Sequence, residues 1–189
     1  MRITAGRFKG RNLTPPKDMS VRPTSDKVRQ AIFNILEHRD FKFPFRLEGA
    51  RVIDLFAGTG ALGLEALSRG ARYCLFVEDA AESRALIRQN VEALGLTGAS
   101  KIWRRDAAKL GPLDTLQPFD LAFLDPPYRK DLIAPALLGL RDGGWLTSPA
   151  LLVAEMSEEE YCPSTDGFAI LDDRIYGDTR VVMLVHHHP

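Results

Sequence analysis

Val52-Ile53-Asp54-Leu55-Phe56-Ala57-Gly58-Thr59-Gly60-Ala61-Leu62-Gly63 is the stretch whose reading decides the fold. A short apolar run carries Asp54 to the end of a buried strand, and small residues then turn the chain into a helix over 61–68. In open α/β sheets, ligands sit outside the carboxyl ends of the strands. The glycines put no β-carbon between backbone and ligand. Such a turn can also cradle the pyrophosphate of a dinucleotide. Here, however, the spacing departs from G-x-G-x-x-G and an acid precedes the turn. A carboxylate aimed at the turn repels phosphate and suits a cationic sulfonium ligand bearing an amino group.

Outward from this stretch, strands alternate with helices. Residues 73–77 and 101–104 read as strands, with a helix over 81–94 between them closed by Gly95. A fourth strand over 119–124, a helix over 132–140 and a fifth strand over 151–155 follow. Residues 168–175 and 180–185, joined through Tyr176-Gly177-Asp178-Thr179, read as a hairpin. The alternation implies a mostly parallel sheet covered by helices on both faces, with an antiparallel edge at the end. Before it all, Thr24-Ser25-Asp26 offers N-cap chemistry to a helix carrying Val28, Ile32, Phe33, Ile35 and Leu36 and ending before Phe41. The first twenty residues read as an irregular arm that can close as a hairpin. One domain is expected over 1–189, divided into a basic arm (1–23) and a catalytic core (24–189).

Composition excludes several classes. The chain has 189 residues, 45% hydrophobic and 26% charged, with no apolar run near the roughly 18 residues a membrane helix needs. A cytoplasmic protein off the membrane is the expectation. Cys74 and Cys162 are far apart, without metal-ligand spacing, and read as inert thiols. His186-His187-His188 reads as a fraying tail, so no metal is assigned. The formal net charge is zero, but its distribution is uneven. Residues 1–30 hold eight basic side chains, Arg7, Lys9 and Arg11 among them, against Asp18 and Asp26. Residues 155–178 hold eight acids against Arg174. A basic arm beside an acidic region suits local contact with nucleic-acid phosphates.

Two further sites complete the chemistry. Glu78 ends the second strand about twenty residues after the glycines, where an acid can accept hydrogen bonds from both hydroxyls of an adenosine ribose. That serves NAD and S-adenosylmethionine equally. Asp106 and Ala107 follow the third strand, where Asp106 can meet the adenine. The discriminating site is Asp125-Pro126-Pro127-Tyr128, directly after the fourth strand. Two prolines stiffen the loop and lack N–H donors, which leaves carbonyls free to accept. With the Asp125 carboxylate they form an acceptor-rich pocket for an –NH2 group, and Tyr128 offers a face for an extruded base.

Those residues resemble a known family. The D-P-P-Y tetrapeptide, with D-L-F-A-G-T-G-A-L-G-L-E-A-L-S-R-G-A after the first strand, resembles the amino-methyltransferases. The opening Arg2-Ile3-Thr4-Ala5-Gly6-Arg7-Phe8-Lys9-Gly10-Arg11-Asn12-Leu13, then Arg22-Pro23-Thr24 and the helix from Val28 to Leu36, narrow this to the 16S ribosomal RNA guanine-N2 methyltransferases of the RsmD type. Weaker matches at Gly144-Trp145-Leu146, Glu155 and Tyr176-Gly177 extend the likeness over nearly the whole chain. The resemblance implies a Rossmann-like, seven-stranded class I methyltransferase fold that binds S-adenosylmethionine. Asp54, Phe56, Ala57, Gly58 and Gly60 would line its methionine side, Glu78 its ribose, and Asp106 with Ala107 its adenine. Arg22 and Thr24 would close over it, and Asp125 to Tyr128 would hold the amine. The implied partner is 16S RNA within the small ribosomal subunit, met by a monomer through Arg7, Lys9 and Arg11. One departure is that relatives often carry a second acid two residues beyond the ribose Glu, where this chain has Ala80 and places Asp79 next door. Three rival classes share the fold: an NAD oxidoreductase, which leaves D-P-P-Y unexplained, a DNA adenine or cytosine methyltransferase, and a non-catalytic ribosome assembly factor.

Overall fold

The computed structural model describes residues 1–18 and 23–188. Helix α1 (Asp26–His38) precedes β1 (Arg51–Leu55), α2 (Ala61–Ser68), β2 (Tyr73–Val77), α3 (Ala81–Ala93), β3 (Ser100–Trp103) and β4 (Phe119–Leu124). Then come α4 (Ile133–Asp142), β5 (Leu146–Ser157), β6 (Phe168–Tyr176) and β7 (Thr179–His186). The seven strands form one sheet in the order β3-β2-β1-β4-β5-β7-β6. Strands β1 to β5 pair in parallel, and β7 runs antiparallel to both β5 and β6. This is the class I methyltransferase architecture.

Strand side chains alternate between two apolar layers. Val52, Cys74, Phe76, Leu121, Phe123 and Val153 face α1, α2 and α3. Ile53, Leu55, Leu75, Ala122, Leu124 and Leu152 face α4 and Trp145. Burial on both sides explains why these strands read as continuous apolar runs. The acidic edge strand is different. In β6, Asp173 and Arg174 are exposed, and such charges discourage pairing with a second sheet.

Local chemistry sets the ends of the helices. Ser25 caps α1, its side chain accepting from the Val28 N–H at 3.2 Å. Helix α2 begins at Gly60, whose left-handed backbone supplies no capping side chain. Asp54 fills that role from β1, accepting the Gly63 N–H at 3.0 Å. Gly63 must be glycine because an added β-carbon would stand 2.4 Å from the Phe76 ring and 2.6 Å from Cys74 Sγ.

Two expectations change, and one is filled in. Strand β5 starts five residues earlier than the periodicity suggested. Two steps along β4, from Phe119 to Leu121, lie opposite five on β5, from Leu146 to Leu151, so the strand bulges around Pro149 and hides its period. The arm closes on itself as its sequence allows, and it packs into the fold. Ile3 and Leu13 are buried in the same layer as α1 and α2, and an Arg2–Asn12 bridge closes the arm on itself. Finally, His186 is no fraying tail. It ends β7, buried, with Nδ1 2.9 Å from the Gly167 carbonyl oxygen.

Candidate active site

The strand order reverses between β1 and β4, and the crevice outside their carboxyl ends is where an open α/β sheet binds ligands. Asp54 and Asp125 stand on its two sides. The cleft between them is lined by Phe56, Ala57, Gly58, Thr59, Ala61 and Leu62 from the first turn, with Pro16, Pro23 and Thr24 closing it from the N-terminal segment. Burial pushes the Asp54 carboxyl well above its usual range, and the nearby Asp125 and Glu78 carboxylates push the same way. The Gly63 N–H works against them. A β-carbon on Gly58 would meet nothing closer than 4.0 Å, so that residue faces open space, in a left-handed conformation (φ 58°).

Glu78 sits beside this turn. One oxygen accepts the Gly58 N–H at 2.8 Å, and the other accepts the Ala80 N–H at 3.0 Å, at the start of α3. Each oxygen therefore keeps a lone pair for a hydroxyl. Partial burial raises its pKa, and the two backbone N–H groups oppose that. Asp106 is exposed beyond β3, with Oδ1 accepting the Ala108 N–H at 2.9 Å, while Ala107 turns into the core. Arg22 lies outside the described residues.

Asp125, Pro126, Pro127 and Tyr128 leave β4 beside the glycine turn. Burial raises the Asp125 carboxyl to about 7, and a hydrogen bond from Thr24 restrains the rise. Tyr128 keeps 37% of its surface exposed, with its hydroxyl 3.3 Å from Thr179 Oγ1 at the start of β7. It borders a cavity shared with Pro23, Thr24, Lys27, Tyr176 and Asp178. Thr24 Oγ1 lies 3.3 Å from Asp125 Oδ2 and 2.8 Å from Glu155 Oε2. Glu155, near the end of β5, is 1% exposed. The structure thus assembles three carboxyls, Asp54, Asp125 and Glu155, on three adjacent strands.

The whole layout recurs in known proteins. A family model described as "Conserved hypothetical protein 95" matches residues 1–185. The ribosomal RNA small subunit methyltransferase D of Escherichia coli K12 is 37% identical over 165 residues, covering 87% of this chain and 78% of that protein. YlbH of Bacillus subtilis is 34% identical over 186 residues, covering 97% of both chains. The solved structure of Escherichia coli yhhF superposes with a TM-score of 0.82 at 27% identity, covering 100% of this chain and 99% of that one. This chain belongs to the RsmD-type family.

The basic residues that accompany the RsmD-type motifs are not among those that line the cleft. The Arg7 N–H donates to the carbonyl of Ser68, the last residue of α2, and the Arg11 guanidinium donates to Ala93 O at the end of α3. Both helices run back from the carboxyl edge of the sheet. Lys9 is exposed in the turn between Arg7 and Arg11. Other arm residues reach the glycine turn: Met1 Sδ lies 3.7 Å from Thr59 Oγ1, and the Thr14 N–H donates to Asn90, which donates in turn to the Thr59 carbonyl. Of the residues around Asp125 and Tyr128, Glu155 and Tyr176 entered the sequence reading as site candidates only through weaker matches to the RsmD type. The signal for Glu155 was an acid ending a buried apolar run, as at Asp54, Glu78 and Asp125.

Proposed function

We propose that the protein transfers a methyl group from S-adenosylmethionine to the exocyclic N2 amine of a guanine in 16S ribosomal RNA of the small subunit. The observation that carries this reading is that Asp125 of the D-P-P-Y loop and the glycine turn after β1 line one cleft. A cleft walled by carboxylates disfavours a pyrophosphate and suits the sulfonium and amino group of S-adenosylmethionine. The open face of Gly58 and the free lone pairs of Glu78 accommodate its methionine and ribose. When bound, the cofactor supplies a methyl group that is already activated, so the chain's own task is positioning.

Asp125 and the Pro126 carbonyl accept hydrogen bonds from the target –NH2, turn its lone pair toward the methyl group and stabilise the positive charge that develops on nitrogen. The prolines hold that geometry. Tyr128 stacks on the base, which must be extruded or unpaired to reach the loop. Bottom-up, the pocket demands only an exocyclic amine; guanine follows from the family, and the small-subunit target from relatives that bear that name. A single small domain with a modest basic arm has little surface for folding around naked RNA, which favours a preassembled particle as substrate.

The test incubates the protein and labelled S-adenosylmethionine with undermethylated small subunits, protein-free 16S RNA or duplex DNA. Label recovered as N2-methylguanosine from the subunits is the expected result. Label on adenine or cytosine, or in DNA alone, would overturn it. Calorimetry should also show S-adenosylmethionine binding that a Gly58→Val change abolishes, and preferential binding of NAD would sink the cofactor assignment.

A further inference from the structure

Thr24 has one hydroxyl hydrogen and two carboxylates within reach, Glu155 Oε2 at 2.8 Å and Asp125 Oδ2 at 3.3 Å. A hydroxyl donates once. Both contacts are hydrogen bonds only if one of the carboxyls is itself protonated and donates to Thr24 Oγ1. The surroundings say which. Glu155 is 1% exposed, and its Oε1 has no hydrogen-bond partner among the described residues. A bare buried carboxylate oxygen is costly, whereas the carbonyl oxygen of a neutral acid tolerates it far better. Asp125, by contrast, faces the cleft.

We propose that Thr24, Asp125 and Glu155 form one proton-sharing unit in which Glu155 keeps a proton and so leaves Asp125 the single anion beside the target amine. The role given to Asp125 rests on the function proposed above. Glu155 itself is a positioning residue: its O–H donates to Thr24, and the Thr24 O–H donates to Asp125. That chain fixes the Asp125 carboxylate and leaves its other oxygen for the amine. The charged neighbours agree. Asp125 after β4 and Asp54 on β1 repel a negative Glu155, and among the described residues Arg29 on α1 is the cation that attracts it. The Arg29 guanidinium is shared with Asp26 at 2.7 Å, Glu65 at 3.8 Å, and the carbonyls of Thr24 and Arg2. Burial and these acids hold the Glu155 carboxyl well above its usual range.

Difference infrared spectroscopy on the protein without substrate tests the proton directly. At pH 8 the wild type should show C=O absorption from protonated carboxyls. The band that belongs to Glu155 should be missing from Glu155→Gln while any Asp54 band stays. Following the wild-type band upward in pH needs no variant, and it should fade only under more alkaline conditions. An absent band, or one unchanged by Glu155→Gln, would overturn the proposal whatever the substrate proves to be. The second measurement is methyl transfer against pH. Because an amide reproduces the neutral acid, Glu155→Gln should stay within about threefold of wild type at pH 8, whereas Glu155→Ala, which strands Thr24, should lose about tenfold or more. Wild-type activity should also fall at high pH as Glu155 ionises, and that fall should be smaller in Glu155→Gln. A band present in the wild type combined with a Glu155→Gln enzyme as slow as Glu155→Ala would refute the positioning role.

Discussion

At the scale of single residues, the cleft is built from acids that the fold keeps against their preference. Asp125 is the clearest case, with a carboxyl near 7 rather than the usual 3.9 or so. Between those two values the native protein binds more protons than the unfolded chain. Stability therefore falls as pH rises from about 4 through about 7. Asp125→Asn removes this liability, so its melting temperature should exceed that of the wild type at pH 8 and converge with it near pH 4. A lower melting temperature at pH 8 would show that the acid is not strained. Activity has the opposite sign. Wild-type methyl transfer should decline below about pH 7, as Asp125 takes up a proton and loses its charge. Asp125→Ala should slow transfer on the order of a hundredfold with cofactor affinity nearly intact, as loss of a preorganised acceptor does elsewhere. Full activity in the Ala variant would remove Asp125 from the mechanism. Tyr128, Glu78 and the turn glycines stood out as candidates because acids recur at successive strand ends beside a glycine turn and a D-P-P-Y loop. An acid taken singly reads first as a helix cap, as Glu78 does for the Ala80 N–H. Thr24 was legible only through the family, since a lone threonine ahead of a helix reads first as a cap.

At the scale of elements, the strand ends matter more than the helices they feed. Asp54 leaves β1 and holds the amino end of α2 through Gly63, so strand, turn and helix form one rigid piece bearing Gly58. Gly63→Ala tests that piece. The new methyl would meet Phe76 and Cys74 well inside van der Waals contact. Overpacking of this kind costs about 1–3 kcal/mol, read as a lower denaturation midpoint, and cofactor affinity should weaken with it. Unchanged stability would mean that α2 can slide on the sheet. Periodicity exposed β1, β2 and β4 because they are buried on both faces and apolar throughout. It shortened β5 because the register shift near Pro149 breaks the alternation that defines a strand.

For the whole molecule, the arm packs along the ends of α2 and α3, with Arg7 at the Ser68 carbonyl and Arg11 at the Ala93 carbonyl, while Pro16 borders the cleft. Neutralising Arg7, Lys9 and Arg11 together should weaken RNA binding and reduce the salt slope by about 0.7–0.9 per lost phosphate contact. S-adenosylmethionine affinity should stay the same, because none of the three side chains lines the cleft. An unchanged slope would return the arm to a purely structural role, which Ile3 and Leu13 already show it to have. Among the described residues, no helix is long and apolar enough to cross a membrane.

Sequence alone determined the alternation of elements, the parallel sheet with its antiparallel edge, and the acids and glycines at strand ends. Those features are local: an apolar run, a glycine turn or a D-P-P-Y loop specifies its own geometry within a few residues. Tertiary structure decided which of these residues meet. The register of β1, β4 and β5 brings Asp54, Asp125 and Glu155 together from positions about a hundred residues apart, and the segment before α1 delivers Thr24 between two of them. It also set the arm against α2, with Ile3 and Leu13 buried in the core. No periodicity encodes such meetings, because they depend on the order in which strands pair, and that order is settled only when the apolar faces bury one another.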